Sequence, residues 1–344
     1  MNHYLFYIGQ NYSFEILRPL QQEIRKRNGK VAWYIEGTEV DSNKFHADER
    51  VLSSVQEIID FAPAAVFVPG NTVPRFIPGL KVQIFHGFEW KKKGHYRIRD
   101  CFDLYCTQGP LFTEEFNKIR ETNKNKHYEI KETGWPKIDT LFNAPAYKWS
   151  TKKQLPTLLY APTFSPAFTS APDLYNEIKR LAKETKWQWL IKFHPKMPRE
   201  WIEKFSELTS DNIHIVDIES LASVLQAADV IISDTSSIIT EFALLNRPIV
   251  TYRNSVPEPH LIDIQQALEL EKAIEEALAL SNERMQKIQQ HVARLHPYRD
   301  GLSSARLLDA TLELSAKGLS HLDRKPTNFI REFKMRMKLS HWRL

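Results

Sequence analysis

Polar residues that could bind or transform a ligand recur just beyond the predicted strands of this chain. The segment before Asp234 also has the length and the β-branched content of a buried parallel strand. The carboxyl ends of parallel strands form the edge of the sheet at which ligands bind. Five clusters from both halves of the chain therefore predict an active site between two domains: His86-Gly87, Gly134-Trp135-Pro136, Thr163, His194-Pro195 and Asp234 to Ser237.

The segment from Asp229 to Tyr252 carries the cluster with the most hydroxyl groups. A strand-like run leads into the turn Asp234-Thr235-Ser236-Ser237, and a helix-like pattern and a second strand follow. The first N–H groups of a helix have no partner within the helix, so they attract anions. The turn therefore predicts a phosphate site to which Ser236 and Ser237 add donors. The alternative is that these residues only cap the helix.

Two histidines have the chemistry for proton transfer or for contact with phosphate. Imidazole titrates near neutral pH, so His86 is a candidate general base that takes a proton from an acceptor hydroxyl. His194 follows Lys192 on one predicted strand, so both side chains should lie on one face and could stabilise a diphosphate leaving group. The alternatives are a loop-capping His86, a solvent-exposed Lys192 and an ordinary turn at His194.

Strands alternate with helices along most of the chain, which predicts parallel sheets covered on both faces. The segment from Asn143 to Pro156 has the composition of an interdomain connection, and a second alternating series follows it. We therefore predict an α/β protein with two Rossmann-like domains, residues 1–145 and 150–316, whose parallel sheets face each other across a cleft. A basic amphipathic tail, residues 317–344, ends the sequence.

Composition favours a globular protein of the cytoplasm. No window of the 344 residues approaches the roughly 18 consecutive apolar residues of a membrane span. The start, MNHYLFYIGQNYSF, lacks the basic region and cleavage site of a signal peptide and is typical of a first strand. Cys101 and Cys106 form neither a disulfide framework nor a zinc pattern.

Several motifs that would indicate other enzyme classes are absent from the sequence. There is no GxGxxG after the first strand, no GxxxxGK[ST], no HExxH and no GxSxG. These absences disfavour dehydrogenases, P-loop NTPases, metalloproteases and α/β-hydrolases. Because no DxD-like pair lies in a suitable loop, we expect no metal ion in the reaction.

The tail combines basic residues with apolar residues at helical spacing. The net charge is only +5, but basic residues recur from Arg331 to Arg343, with Phe329, Ile330, Phe333 and Met337 among them. A basic amphipathic helix suits an anionic membrane surface. The alternative is a terminal helix that packs on the body with a solvated charged face. Nucleic acid is disfavoured because no binding motif accompanies the charge.

Six blocks of this sequence resemble, in the same order, the CDP-glycerol glycerophosphotransferase family, the TagB- and TagF-like enzymes of teichoic acid and capsule synthesis. They are His86-Gly87, Gly134 to Asp139, Tyr160 to Thr163, His194-Pro195, Asp229 to Tyr252 and Asp300 to Ser304. The resemblance implies a GT-B architecture and a transferase that moves glycerol phosphate from CDP-glycerol to a hydroxyl of a glycan or lipid-linked acceptor, releasing CMP. It implies that the enzyme needs no cofactor and acts at the inner face of the cytoplasmic membrane.

The resemblance also assigns roles to individual residues. His86 matches the proposed base and His194 the histidine that supports the donor phosphates. The predicted donor-binding residues are Gly134, Pro136, Thr163, Lys192, Asp234, Thr235, Ser236, Ser237 and Glu241, and the acceptor side includes Gly87, Lys91 and Lys92. Phe88-Glu89-Trp90 replaces the family's usual small residue and proline before a lysine, and Glu241 stands where an aspartate is common.

Two other functions stay open on the sequence alone. A nucleotide-sugar glycosyltransferase or an epimerase-like enzyme can share this fold, and it should bind UDP or a related nucleotide better than CDP. A non-catalytic scaffold of an envelope assembly should show no turnover with any donor and little effect of His86→Ala.

Overall fold

The computed structural model describes residues 2–88, 90–91, 93–149, 155–216 and 221–342. The chain divides into two compact units. The first consists of Met1–Thr140 together with Arg294–Leu344, and the second of Leu141–Ala293.

The first unit is built on a seven-stranded sheet with neighbours in the order β3-β2-β1-β4-β5-β6-β7. All of these pairings are parallel. The strands are β1 (His3–Ile8), β2 (Lys30–Ile35), β3 (Val51–Leu52), β4 (Ala65–Val68), β5 (Leu80–Gln83), β6 (Leu104–Thr107) and β7 (Glu129–Glu132). The order is that of a Rossmann sheet, and its switch point lies between β1 and β4.

Six α-helices of the described residues belong largely to this unit, and apolar residues recur on one side of these helical segments. They are α1 (Ser13–Lys26), α2 (Val55–Phe61), α3 (Pro110–Thr122) and α4 (Pro136–Asn143), with α11 (Ser303–Lys317) and α12 (Phe329–Lys338) from the end of the chain. Pro110 begins α3 at the first helical turn, where its missing N–H costs nothing.

The second unit repeats the same topology with six parallel strands in the order β10-β9-β8-β11-β12-β13. The strands are β8 (Thr157–Tyr160), β9 (Gln188–Ile191), β10 (Ile213–Ile215), β11 (Val230–Ser233), β12 (Ile249–Tyr252) and β13 (Ile262–Ile264). The helices are α5 (Ala171–Lys183), α6 (Arg199–Ser206), α7 (Leu221–Ala227), α8 (Ile238–Ala243), α9 (Leu270–Ala279) and α10 (Asn282–Leu295). The predicted α/β class with two Rossmann-like sheets is confirmed.

The C-terminal part of the chain differs from the predicted division. Residues 294–316, expected in the second domain, lie in the first unit. The buried apolar face of α11, which includes Leu307 and Leu314, explains this placement because α11 packs on α1.

The segment after α11 is also part of the first unit rather than a separate tail. Lys325 forms an ion pair with Asp103, at 2.7 Å, and Leu339 packs against the apolar core of this unit. No helix among the described residues is both long and apolar enough to cross a membrane.

Candidate functional site

The carboxylate of Asp234, directly after β11, organises the strand edge of the second unit. Both of its oxygens accept from the Thr163 N–H, at 2.9 and 3.1 Å, and Oδ2 also accepts from the N–H and the hydroxyl of Ser170, both at 2.9 Å. Burial raises the pKa of Asp234. The side chain therefore holds the loop after β8 in place, and its contribution to ligand binding would be indirect.

The hydroxyl turn that follows is held at Thr235 by the segment after β12. Thr235 Oγ1 accepts from the Ser255 N–H at 3.0 Å. Ser237 occupies the N-cap position of α8, but its side chain caps nothing there. Ser236 is half-buried and Ser237 is exposed. The interpretation of these serines as helix caps is therefore wrong for Ser237, and its hydroxyl is available to a ligand.

Lys192 and His194 lie beyond β9 rather than on it. β9 ends at Ile191, so the expectation that both side chains share one face of a strand is wrong. Lys192 Nζ donates to the Phe193 carbonyl at 3.0 Å. The His194 ring stacks on Phe164, with 4.3 Å between ring centroids, and is otherwise exposed.

The contacts of His194 define its protonation state. Partial burial of the ring, together with the charges of Lys196 and Lys192, lowers its pKa. Its Nδ1 accepts the Lys196 N–H at 3.1 Å, so the proton of the neutral ring is on Nε2. His194 can therefore donate one hydrogen bond to an anion, while the two lysines supply positive charge.

Phe164 and Lys196 were not identified from the sequence. Lys196 Nζ lies 5.8 Å from the centre of the Phe164 ring. The only sequence signal for this pair was proximity to Thr163 and to His194-Pro195. Glu241 is half-buried on α8. The second unit thus presents a histidine donor and lysine charge after β9 and hydroxyls after β11, the strands on either side of β8. This combination suits a phosphate-bearing ligand.

His86 follows β5 in the first unit, where the backbone turns sharply. Phe85, directly before it, is buried and has φ of 58°, which is uncommon for a bulky residue. His86 Nδ1 lies 3.1 Å from the Pro69 carbonyl oxygen, and its ring stacks on Tyr12 at 5.3 Å. Because a carbonyl only accepts, Nδ1 carries the proton and Nε2 of the neutral ring is free to accept one. This tautomer is the one that a general base needs.

A pocket of about 450 Å³ lies at the switch point of the first sheet, a size typical of small-molecule sites. The residues after β1, β2 and β4 line it, including Tyr12, Glu36 and Asn71. Lys338 of α12 completes the lining and pairs with Glu36 at 2.6 Å. This pocket was not predicted from the sequence, because its residues come from loops without a motif.

The predicted acceptor-side residues lie near His86 in the sequence. The Gly87 carbonyl accepts from Gln108 Nε2 at 2.9 Å. Lys91 is exposed, and its Nζ lies 4.8 Å from the centre of the Trp90 ring. Lys92 lies outside the described residues.

Gly134 and Pro136 belong to the first unit, unlike the other predicted donor-binding residues. Gly134 has φ of 78°, and a Cβ there would lie 2.5 Å from Ser303 Oγ and 3.0 Å from His296 Nε2. Asp139 accepts from the N–H groups of Ser303 and Ser304, both at 2.7 Å. The sequence blocks Gly134 to Asp139 and Asp300 to Ser304 are therefore in direct contact. Ligand contacts of Gly134 and Pro136 stay a prediction.

A family model described as CDP-Glycerol:Poly(glycerophosphate) glycerophosphotransferase matches residues 86–258, half of the chain. The chain belongs to this family. The match begins at His86 and includes His194 and the Asp234–Ser237 turn. It thereby confirms the predicted family.

The glycerophosphotransferase assignment agrees with individual relatives. The chain is 30% identical over 236 residues to a teichoic acid glycerol-phosphate primase of Bacillus subtilis (strain 168), covering 63% of this chain and 59% of the relative. It is 26% identical over 227 residues to the teichoic acid ribitol-phosphate polymerase TarK of Staphylococcus aureus (strain NCTC 8325 / PS 47), covering 59% and 43%. The chain thus spans less than two thirds of these relatives.

Solved structures support the fold of this glycerophosphotransferase family member. The wall teichoic acid polymerase TagF matches 93% of this chain and 90% of its own, with a TM-score of 0.62 at 15% identity. A UDP-N-acetylglucosamine 2-epimerase described as putative, from Listeria monocytogenes, matches 95% and 99%, with a TM-score of 0.66 at 14% identity. The predicted GT-B-like class is confirmed; at these identities the likeness shows the fold alone.

Proposed function

We propose that this chain transfers glycerol phosphate from CDP-glycerol to a hydroxyl of a glycan or lipid-linked acceptor, releasing CMP, during synthesis of a cell-envelope polymer. The observation that carries the proposal is the family match, because it contains both candidate histidines and the hydroxyl turn. The glycerol-phosphate primase relative supports the same transferred group, and the ribitol-phosphate polymerase relative supports a role in teichoic acid synthesis.

In this proposal His86 is the general base. Its Nε2 accepts the proton of the acceptor hydroxyl, and Nδ1 keeps its hydrogen bond to the Pro69 carbonyl. The acceptor oxygen attacks the phosphorus that carries glycerol. The bond from that phosphorus to the bridging oxygen breaks, and CMP leaves with the electron pair. The sequence-derived expectation that neither metal nor cofactor takes part is retained here as a proposal.

His194, Lys192 and Lys196 would stabilise the donor phosphates. Negative charge grows on the leaving phosphate as the bond breaks, so fixed donors and cations lower the barrier. His194 would contribute its Nε2–H rather than a full positive charge, since its pKa is lowered. Ser236 and Ser237 would donate to the same group.

The donor site is tested by calorimetric titration with CDP, CDP-glycerol, UDP and a UDP-sugar. We expect the cytidine ligands to bind best, and the Ser236→Ala/Ser237→Ala variant to bind them at least about tenfold more weakly, because each lost bond to a charged group is worth about 1.5–3 kcal/mol. Ser206→Ala, an exposed serine of the same unit, is the control. Preference for uridine ligands would favour the glycosyltransferase or epimerase-like function. If no nucleotide binds, both enzyme functions are contradicted and the non-catalytic scaffold remains as the alternative.

We also propose that α12 brings the protein to an anionic membrane surface at the cytoplasmic face. One side of the helix docks on the first unit, where Arg336 stacks on Phe76. The other side exposes large apolar side chains: Phe329 80%, Ile330 71%, Phe333 54% and Met337 52%. Basic residues flank this apolar side, the combination that binds anionic lipid.

Vesicle sedimentation tests this surface without disturbing the docked side of α12. Ile330→Ser/Phe333→Ser should reduce binding to vesicles that contain anionic lipid at least about fivefold, since two exposed apolar side chains no longer enter the bilayer. Leu268→Ser changes a leucine in the second unit that is 80% exposed, more than either substituted residue of α12, and should leave binding intact. Equal binding by both variants would contradict the membrane role.

A further inference from the structure

Three potential metal ligands converge in the second unit, and none of them is among the residues assigned to the reaction. Glu258 and His260 lie between β12 and β13, and His291 lies on α10. Glu258 Oε2 is 3.8 Å from His260 Nδ1 and 3.6 Å from His291 Nδ1. The two imidazole rings stack, with 3.9 Å between centroids. The ligating atoms of all three residues lie within 4.8 Å of one another.

The surrounding contacts hold this cluster together. Arg284 donates to the carbonyl oxygens of Pro259, at 3.4 Å, and Leu261, at 2.7 Å, on either side of His260. Arg284 and His291 are two turns apart on α10, so they lie on the same side of that helix. The arginine therefore fixes the segment that carries His260 against the helix that carries His291.

The chemistry of the three ligands selects a class of metal ion. Two imidazoles and one carboxylate suit Zn²⁺ and similar first-row ions rather than Mg²⁺ or Ca²⁺. Bonds of about 2.0–2.2 Å in a tetrahedral site place ligand atoms about 3.4 Å apart. The Glu258 contacts therefore need to shorten by a few tenths of an ångström, and the imidazole nitrogens, which lie within 4.8 Å of each other, need to approach by up to about 1.4 Å. The His260 side chain is 5% exposed, His291 is 19% and Glu258 is 21%, which leaves access for an ion and a fourth ligand.

We propose that Glu258, His260 and His291 bind a Zn²⁺-type divalent ion that fastens the segment after β12 to α10. The other end of this segment contacts the hydroxyl turn: Asn254 Nδ2 donates to the Asp234 carbonyl at 2.8 Å, and the Ser255 N–H donates to Thr235. A bound ion therefore steadies the segment next to the hydroxyl turn without touching the ligand there. The inference does not depend on the proposed reaction.

Titration of the untagged full-length protein with Co²⁺, followed by visible absorption, tests the site. We expect one equivalent to give the intense bands of a four-coordinate ion, and Zn²⁺ to displace it. His291→Ala should weaken binding more than about 100-fold, since even indirect changes around metal ligands cost up to that much. Glu258→Gln should weaken it as well. His46→Ala, an exposed histidine of the first unit, is the matched control.

Hydrogen exchange supplies a readout apart from the metal itself. Zn²⁺ should slow exchange of the backbone N–H groups in residues 253–261, and His291→Ala should abolish that protection while circular dichroism stays unchanged. Absence of the Co²⁺ bands, or bands that persist equally in His291→Ala and His46→Ala, would overturn the site and leave a metal-free cluster of imidazoles and carboxylate.

Discussion

His296 lies buried at the turn that contains Gly134, and its environment keeps it neutral. Its Nε2 accepts the Trp135 N–H at 3.1 Å. Burial lowers its pKa from 6.5 to about 4, with the nearby positive charge of Arg306 adding to the effect. Protonation would place a charge in the core and remove the acceptor for Trp135. The residue therefore links the stability of the first unit to pH.

The unfolding free energy should reveal this link through His296→Gln. Between pH 6.5 and pH 4 the unfolded histidine binds a proton and the folded one does not, so stability falls as pH falls, by about 1.4 kcal/mol per pH unit. From pH 7 to pH 5 the wild-type protein should lose about 2 kcal/mol more than His296→Gln, measured by urea unfolding. His46→Gln should keep the wild-type pH dependence. Identical slopes in wild type and His296→Gln would contradict the assignment.

At the scale of single residues, residue types suggested a chemistry, which stays a prediction, but they did not reveal the contacts. His86 and His194 stood out because an imidazole followed an apolar strand. The tautomer of each ring depends on a neighbour, the Pro69 carbonyl and the Lys196 N–H, that no pattern connects to it. For the same reason the loop contacts of Asp234 were not visible: its partners lie more than sixty positions away in the sequence.

Strand and helix placement followed from hydrophobic pattern, while element ends did not. Alternation of apolar segments gave both Rossmann-like sheets because buried parallel strands are short and apolar throughout. β9 ends at Ile191, but the predicted strand extended to Phe193, which is apolar because it is buried beyond the sheet. The motif blocks around Gly134 and Ser303 are far apart in the sequence, yet they form one structural joint at the start of α11.

Gly134→Ala should test that joint. The substitution carries the strain of φ at 78° and also places Cβ 2.5 Å from Ser303 Oγ. Gly37 has φ of 87°, and a Cβ there would meet nothing within 4 Å, so Gly37→Ala isolates the backbone strain. We expect a loss of about 1 kcal/mol for Gly37→Ala and about 3 kcal/mol for Gly134→Ala, by urea unfolding.

Removal of the clashing oxygen provides a check on the cause. Ser303→Ala combined with Gly134→Ala should recover part of the lost free energy, since contacting residues do not behave additively. Equal losses for Gly37→Ala and Gly134→Ala would mean that Ser303 and His296 move aside without a loss of stability. The close packing between Gly134 and the start of α11 would then not contribute to stability.

At the scale of the whole chain, the sequence predicted two units but not which segments compose them. Local pattern reveals where helices form, whereas the partner of a C-terminal helix depends on surfaces assembled from distant segments. The segment Arg294–Leu344 returns to the first unit through α11 and the ion pair of Lys325 with Asp103. The basic composition that suggested a membrane-binding tail includes residues that contact the first unit, such as Arg331, which pairs with Asp100 at 3.6 Å.

Lys325→Met tests whether this return segment is integral to the first unit. Asp103 is buried, 2% exposed, and Lys325 Nζ lies 2.7 Å from its Oδ1, so removal of the cation leaves a buried carboxylate with the Lys81 N–H as a remaining donor. Loss of one partner from a buried pair costs about 3–5 kcal/mol, and we expect about 3 kcal/mol because Lys325 is partly exposed. Lys334→Met, at an exposed lysine of α12, should change the free energy of unfolding by less than about 0.5 kcal/mol.

Asp103→Asn completes a double-mutant cycle for this ion pair. The loss in the Lys325→Met/Asp103→Asn variant should be smaller than the sum of the two single losses, because the second change removes the carboxylate that the first leaves unpaired. Lys81 also affects the size of the loss. Burial and the charge of Lys325 lower the pKa of Lys81 to about 8. Without Lys325 the Lys81 pKa should rise, which compensates part of the loss. Additive losses would contradict the ion pair of Lys325 with Asp103. Equal stability of Lys325→Met and Lys334→Met would show that Lys325 does not fasten the segment after α11 to the first unit.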